Sequence, residues 1–351
     1  MTPELAGFDS RRLSTILELI PDLRIAVLGD FFLDKYLEVD QSLAEFSLET
    51  GLTAHQVVGV RHSPGAAGTV VNNLVALGAR NITAIGFTGD DGEGYELRQD
   101  LGGLGVDTSR LLLDPGRHTP VYLKPRYSDR PGLDGEHSRY DIKNRTPTDT
   151  VLETAMMQAL EAMIPGLDLL IVMDQVEDNG CGVVTAGMVK ALEGLMVPDR
   201  KLVAWVDSRR RIRAFRGLTL KMNQFELAGI PDPAPGDSVP DSLIVRELPV
   251  VEALAGKAVF ATVGERGVWV GGARPTRIPA IRMEGPLDPT GAGDSFTAGV
   301  TLALATGATP AVAALLGNLV ASITVRQLAT TGTAKPAQLY EALDLWKEQN
   351  Q

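Results

Sequence analysis

Five short apolar runs rich in β-branched residues punctuate the chain: Arg24–Gly29, Asn81–Phe87, Asp168–Met173, Lys201–Val206 and Ala258–Val263. Their apolar positions are continuous rather than alternating, which marks strands covered on both faces. Between them, residues 66–78, 92–104, 148–163, 183–195 and 242–254 carry apolar side chains at helical spacing. The last quarter reads as three further helices over 292–306, 309–328 and 336–348. Repeated strand–helix units of this kind predict an α/β fold, a mostly parallel sheet with helices on both sides. Two stretches break the alternation. Residues 36–62 and 118–145 are polar and mixed, with strand-like fragments at His55–Val60 and Pro120–Lys124. Connections that long inside a compact fold are usually functional insertions such as lids, although unstructured surface loops would read the same way. Pro231–Pro235 reads as a turn, too short for a domain linker.

Composition narrows the choice of partners. The formal net charge is −11, whereas a nucleic-acid binder more often carries a basic balance or a dense basic patch. The one dense basic stretch, Arg209, Arg210, Arg211, Arg213 and Arg216, is short and has no interleaved aromatics, so it reads as a solvated loop or a small phosphate site. Cys181 is the only cysteine, which excludes an internal disulfide and a cysteine-based zinc cluster. Residues 1–20 mix acidic, basic and apolar side chains, unlike a secretion signal. No apolar run approaches the length of about 20 residues that spans a bilayer. A cytoplasmic protein without membrane contact is expected.

The candidate chemistry concentrates in Asp288–Thr301, where Gly291, Ala292, Gly293 and Asp294 open a long apolar helix. Small residues there let backbone N–H groups converge at the positive end of the helix dipole, a ready anion site. Asp294, in the first turn, can then take the proton of an attacking hydroxyl while those N–H groups hold the charge of a moving phosphoryl group. A bare helix start capped by an aspartate would look the same.

This segment resembles, over its whole length, the C-terminal signature of the PfkB/ribokinase family of carbohydrate kinases, and the resemblance extends over about residues 24–340. It implies a single ribokinase-like domain across 1–351, a three-layer α/β/α sandwich whose small β-rich lid falls at 36–62 and 118–145. It implies ATP and Mg²⁺ as cofactors. Asn223 and Glu226 match the family's Asn-x-x-Glu element, which supports the Mg²⁺ through water. Thr262, Gly264 and Gly267 match its nucleotide-site turn. Asn318 stands where the family often adds a nucleotide contact, unless it is an ordinary helix-surface asparagine. Asp288 and Thr290 match a monovalent-cation (K⁺) site. Asp34, in Gly29–Asp34, corresponds to the carboxylate that holds substrate hydroxyls, just beyond a strand end where ligands bind in open α/β sheets. Within the family, the chain looks most like the heptose-phosphate kinase half of the bifunctional ADP-heptose synthesis enzyme, and its 351 residues are taken up by that half alone. Lys124 and Arg126, two apart on a strand and so on one face, would together hold a substrate phosphate. Lids of this family often pair, which points to a homodimer.

One motif departs from the pattern. The family's Gly-Gly-x-x-Asn, with a second Asn four residues on, appears here as Gly65, Ala66, Thr69 and Asn73. Ala66 adds a methyl group where glycine permits close approach, and Thr69 replaces a donor–acceptor amide with a shorter hydroxyl. The sugar side is therefore altered while the phosphoryl side is intact. The expected activity is phosphorylation of a sugar or sugar-phosphate hydroxyl. The alternatives are a non-catalytic descendant that binds sugar or nucleotide, and a kinase for a nucleoside or other small alcohol.

Overall fold

Alternation along the central strands decides the layering. In β1 (Arg24–Gly29), Ile25 and Val27 enter one apolar cluster, while Ala26 and Leu28 enter the other. The same split recurs in β8 (Leu169–Asp174), with Leu169, Ile171 and Met173 on one face and Leu170 and Val172 on the other. A strand buried on both faces needs a helical layer on each. This computed structural model describes residues 3–130, 135–196, 201–234 and 236–350.

One layer holds α1 (Pro3–Ala6), α2 (Ser10–Leu19), α3 (Ala67–Ala76), α4 (Gly92–Gly103), α9 (Ala292–Ala305), α10 (Pro310–Thr324) and α11 (Pro336–Asn350). The other holds α5 (Thr150–Met163), α6 (Ala186–Leu195), α7 (Gln224–Ala228) and α8 (Asp241–Ala255). The sheet between them also contains β4 (Asn81–Gly89), β5 (Asp107–Asp114), β9 (Val203–Ser208), β10 (Thr219–Asn223), β11 (Val259–Thr262), β12 (Val268–Val270) and β13 (Thr276–Ile278). Its order is β13-β12-β11-β10-β9-β8-β1-β4-β5. The pairs from β11 to β5 are parallel, and β12 and β13 close one edge antiparallel. All five expected strands are present, as are the eight expected helices, with ends shifted by a few residues. The strands β5, β10, β12 and β13 were not anticipated as such.

The two interruptions form a second sheet. It comprises β2 (Phe31–Phe46), β3 (Thr53–Ala66), β6 (Val121–Tyr127) and β7 (Tyr140–Ile142), in the order β3-β2-β6-β7. They are strands rather than unstructured loops, and β2 and β3 reach further toward the core than 36–62. The middle of the 118–145 segment, at 131–134, and Pro235 at the end of the expected turn lie outside the described residues. Asp30 is the pivot between the sheets. The chain leaves β1 at Gly29 and enters β2 at Phe31, and the buried Asp30 carboxylate accepts the N–H groups of Gln175, Val176 and Val183 at 2.8, 3.0 and 2.7 Å. The loop after β8 is thereby fixed to the root of the lid.

Candidate active site

Helix α9 begins at Gly291, whose φ of 75° turns the chain into the first turn. The N–H of Ala292 is taken by the Pro289 carbonyl at 3.0 Å, so it is not one of the converging donors expected from the sequence. The N–H groups of Gly291, Gly293 and Asp294 have no acceptor among the described residues, and with the helix dipole they make a donor set that suits an anion. Asp294 is half-buried beside them. Burial first, and then the nearby Asp207 carboxylate, push its pKa up to about 7 against the opposing pull of Lys221 and Arg209. A base poised there is matched to neutral pH.

Lys221 supplies what sequence reading missed. Its ammonium group is buried on β10, 2.5 Å from Asp207 on β9. A side chain at Gly293 would meet it, since a Cβ there would lie 2.9 Å from Lys221 Nζ. Glycine at 293 thus admits a full positive charge to the anion site. Lys221 remains charged because Asp207 and Glu226 outweigh the burial that opposes it. Its place beside Asn223 was visible in the sequence, but its pairing with Asp207 depends on the register of neighbouring parallel strands.

Asn223 and Glu226 form a reciprocal cap on α7. Asn223 Oδ1 accepts the N–H groups of Phe225 and Glu226 at 2.8 and 2.9 Å, and Glu226 Oε2 accepts that of Asn223 at 2.6 Å. Burial raises the Glu226 pKa to about 7, with Asp207 adding and Lys221 opposing. Its other oxygen makes no hydrogen bond among the described residues. Such a half-buried carboxylate with one oxygen free suits a hard cation. Among the described residues no three histidine, cysteine, aspartate or glutamate side chains converge as a metal cage, so the residues fit an ion that keeps most of its water.

The nucleotide-side residues are close by. Thr262 ends β11, and its hydroxyl donates to the Met222 carbonyl at 3.3 Å. Gly264 and Gly267 bracket a tight turn closed by the Val263 N–H on the Gly267 carbonyl at 2.8 Å. Arg266 ties this turn to α7 and α8, reaching Gln224 Oε1 at 2.7 Å and Asp241 Oδ1 at 2.6 Å. Asn318 is buried rather than on a helix surface, and its amide donates to the carbonyls of Ile278 and Pro279 at 3.1 and 3.2 Å. The buried Asp288 carboxylate accepts the N–H groups of Thr290 and Ala329 at 3.0 and 2.9 Å, joining the two loops beside the anion site.

At the acceptor end, Asp34 on β2 is buried 3.3 Å from Lys124 on β6. Burial raises its pKa against the pull of Lys124 and Arg139. Gly65 is needed at this point, because a Cβ there would lie 2.9 Å from Asp34 Oδ2. Lys124 and Arg126, expected to hold a substrate phosphate together, have different neighbours. Lys124 leans to Asp34 and to the Tyr36 hydroxyl at 3.4 Å, whereas the buried Arg126 extends toward Gly135. Asn73 is fully buried on α3, and its amide donates to the carbonyls of Thr69 and Gly332 at 3.0 and 3.2 Å. It braces the site from behind. The altered motif changes backbone as well as chemistry. Ala66 has φ 54° and ψ −117°, a region that disfavours side chains, at a cost of about 1–3 kcal/mol. Thr69 presents its methyl group to the anion site, 3.4 Å from where a Gly291 Cβ would lie.

Arginines of the basic stretch contact the loop after β8. Arg211 pairs with Asp174 and donates to the Val176 carbonyl, Arg209 Nε donates to Gln175 Oε1 at 2.9 Å, and Arg210 lies 3.6 Å from Glu177. Asp174 nevertheless has its pKa raised to about 6, by burial and by Asp30. Each of the three arginines engages the loop after β8, which lines a pocket with Asp30, Phe32 and Tyr122.

A doubly covered α/β sheet, a strand-built lid, and a half-buried carboxylate beside free helix-terminal N–H groups together define a ribokinase-like fold. Residues 24–133 and 219–337 match the pfkB family of carbohydrate kinases, and the chain belongs to that family. The bifunctional protein HldE of Pelobacter propionicus is 28% identical over 344 residues, covering 96% of this chain and 66% of that protein. HldE of Caulobacter sp. is 31% identical over 314 residues, covering 87% and 60%. The chain thus spans about two-thirds of the length of these relatives. Among solved structures, Arabidopsis thaliana ribokinase complexed with ribose and ATP aligns at TM-score 0.64 and 17% identity, over 92% of this chain and 98% of that one. Escherichia coli phosphofructokinase-2 in complex with potassium aligns at 0.68 and 15%, over 93% and 99%. The pfkB family is one of carbohydrate kinases. Among the described residues no helix is long and apolar enough to cross a membrane.

Proposed function

We propose that the chain transfers the γ-phosphoryl group of ATP to a hydroxyl of a sugar or sugar phosphate, with Asp294 as general base. The observation that carries this reading is the position of Asp294, its pKa raised to about 7, beside three unpaired N–H groups and the Lys221 ammonium. Asp294 takes the proton of the acceptor hydroxyl as its oxygen attacks phosphorus in line. The bond to the β-phosphate oxygen breaks and ADP leaves. The N–H groups of Gly293 and Asp294, with Lys221, hold the charge on the moving phosphoryl group. Asp34, with Lys124, orients the acceptor hydroxyls. Asn223 and Glu226 would hold Mg²⁺ through water, and that ion supplies charge neutralisation along the phosphates. Thr262 and the Gly264–Gly267 turn would line the nucleotide. Asp288, with no cationic partner among the described residues, and Thr290 suit K⁺.

The distal half of the lid leaves Phe46, Leu48, Leu52 and Val58 exposed, and β3 is an edge strand. Both features support a homodimer through the lid, since large exposed apolar patches mark interfaces. ADP release against a panel of sugars, sugar phosphates and nucleosides tests the assignment. Turnover with a sugar or sugar phosphate is expected. Tight MgATP binding with no turnover on any acceptor would favour a non-catalytic descendant, and turnover on nucleosides alone would move the acceptor class.

A further inference from the structure

The lid meets the body of the molecule at a strained residue. Arg61 on β3 stands opposite Tyr36 on β2, and its guanidinium carbon lies 3.8 Å from the centre of the Tyr36 ring. Its Nε donates to Glu38 Oε1, also on β2, at 3.2 Å. A terminal nitrogen, Nη2, leaves the lid and donates to the backbone carbonyl of Ala329 at 3.2 Å, 268 residues away along the chain. Ala329 sits in the loop after α10, and its φ of 59° is a left-handed conformation that a residue with a Cβ seldom adopts.

Two hydrogen bonds hold Ala329 there. Its N–H is taken by Asp288 Oδ2 at 2.9 Å and its carbonyl by Arg61, so the peptide planes on both sides of its Cα are fixed. A strained residue gripped from two sides is a two-state element: when either bond is lost, the backbone can relax and carry the loop with it. Each grip leads to one end of the cleft. On the body side, the other Asp288 oxygen accepts the N–H of Thr290 at 3.0 Å, one residue before the glycine that opens α9. Thr331, in the same loop as Ala329, places its methyl group 3.5 Å from where a Gly291 Cβ would lie. On the lid side, the Tyr36 hydroxyl accepts from Lys124 at 3.4 Å, and Lys124 lies 3.3 Å from Asp34. Contacts therefore run from Asp34 through Lys124, Tyr36, Arg61, Ala329 and Asp288 to the start of α9.

We propose that Arg61 is a positioning residue that latches the lid to the loop after α10, so that a nucleotide held at the start of α9 orders the lid, and an acceptor held at Asp34 orders the phosphoryl end by the same coupling. Arg61 touches neither substrate in this arrangement. Its side chain is 42% exposed, and polar contacts at such a site add little to stability. Its loss should therefore uncouple the two ends while leaving the fold intact. The proposal rests on the kinase reading only for the ligand that occupies the start of α9.

Amide hydrogen exchange on the full chain, at one protein concentration, tests both halves of the proposal. Without ligand, Arg61→Met should speed exchange within residues 325–333 about fivefold or more, because the loop loses one of its two grips. With Mg²⁺ and a non-hydrolysable ATP analogue, exchange across β2 and β3 of the wild type should slow about fivefold or more, the lower end of ordinary coupling between sites. In Arg61→Met the analogue should bind within about threefold of its wild-type affinity by calorimetry and still protect α9, while the slowing in the lid disappears. Glu38→Gln, which removes a charge partner of Arg61 inside the lid, should keep that slowing. Unchanged exchange at 325–333 in Arg61→Met, no slowing of the lid in the analogue-bound wild type, slowing that persists in Arg61→Met, or its equal loss in Glu38→Gln overturns the latch. An analogue that fails to bind the wild type strikes the kinase reading instead, and the ligand-free exchange at 325–333 then decides the latch by itself.

Discussion

The two ends of the cleft are built by different means. The phosphoryl end is made of backbone N–H groups at the start of α9 and of charges buried on adjacent parallel strands, Lys221 on β10 and Asp207 on β9. The proposed acceptor end is made of side chains on lid strands, with Asp34 on β2 and Lys124 on β6 drawn from separate parts of the chain. The first arrangement is fixed by the sheet and can serve any acceptor. The second can change by substitution without disturbing the chemistry. Ala66 illustrates the difference, because it departs from the family beside Gly65 and Asp34 while the Gly291–Asp294 segment does not depart.

The comparison can be broken at the phosphoryl end first. Lys221→Met should cut turnover about 100-fold, the scale for removing one preorganised charge from a transition state. It should also lower Tm, since it leaves Asp207 buried and unpaired. Adding Asp207→Asn should restore much of the stability but not the turnover. Recovery of both together would make Lys221 purely structural. At the acceptor end, Asp34→Asn should raise the acceptor KM about tenfold and leave the KM for ATP within about threefold, the signature of a group that touches only one substrate. Equal effects on both constants would contradict the division. The smallest effect is expected at Ala66. Ala66→Gly relieves a positive φ and should stabilise the protein by about 1 kcal/mol, seen as a rise in Tm. A lower Tm would show that the local backbone is not strained.

Much of the fold was legible because its signals are local. The continuous runs at Arg24–Gly29 and Asp168–Met173 gave core strands, and helical spacing gave the helices around them. The short strands were harder. Thr219–Asn223 carries a lysine whose charge interrupts its apolar run, and Val268–Val270 is only three residues long. The lid strands read as polar and mixed because much of their surface faces solvent, so their extent depended on pairing across the chain. Within the site, Asp294, Glu226, Asp34 and Gly65 were visible as motif positions. Lys221 was visible only as a residue type, since its role comes from Asp207 on the neighbouring strand. Asn73 and Asn318 stood out as motif amides, yet both spend their donors on backbone carbonyls.

The central claim is that Asp294 takes the acceptor proton. Its raised pKa means that the carboxylate is largely protonated below about pH 7, so kcat/KM for the acceptor should rise with pH through that region as the base becomes ionised. Asp294→Asn, measured beside the wild type, should bind MgATP with nearly unchanged affinity, lose at least about 100-fold in turnover, and lose the pH step attributed to this group. Near-normal turnover in that variant, with the pH step preserved, would contradict the account.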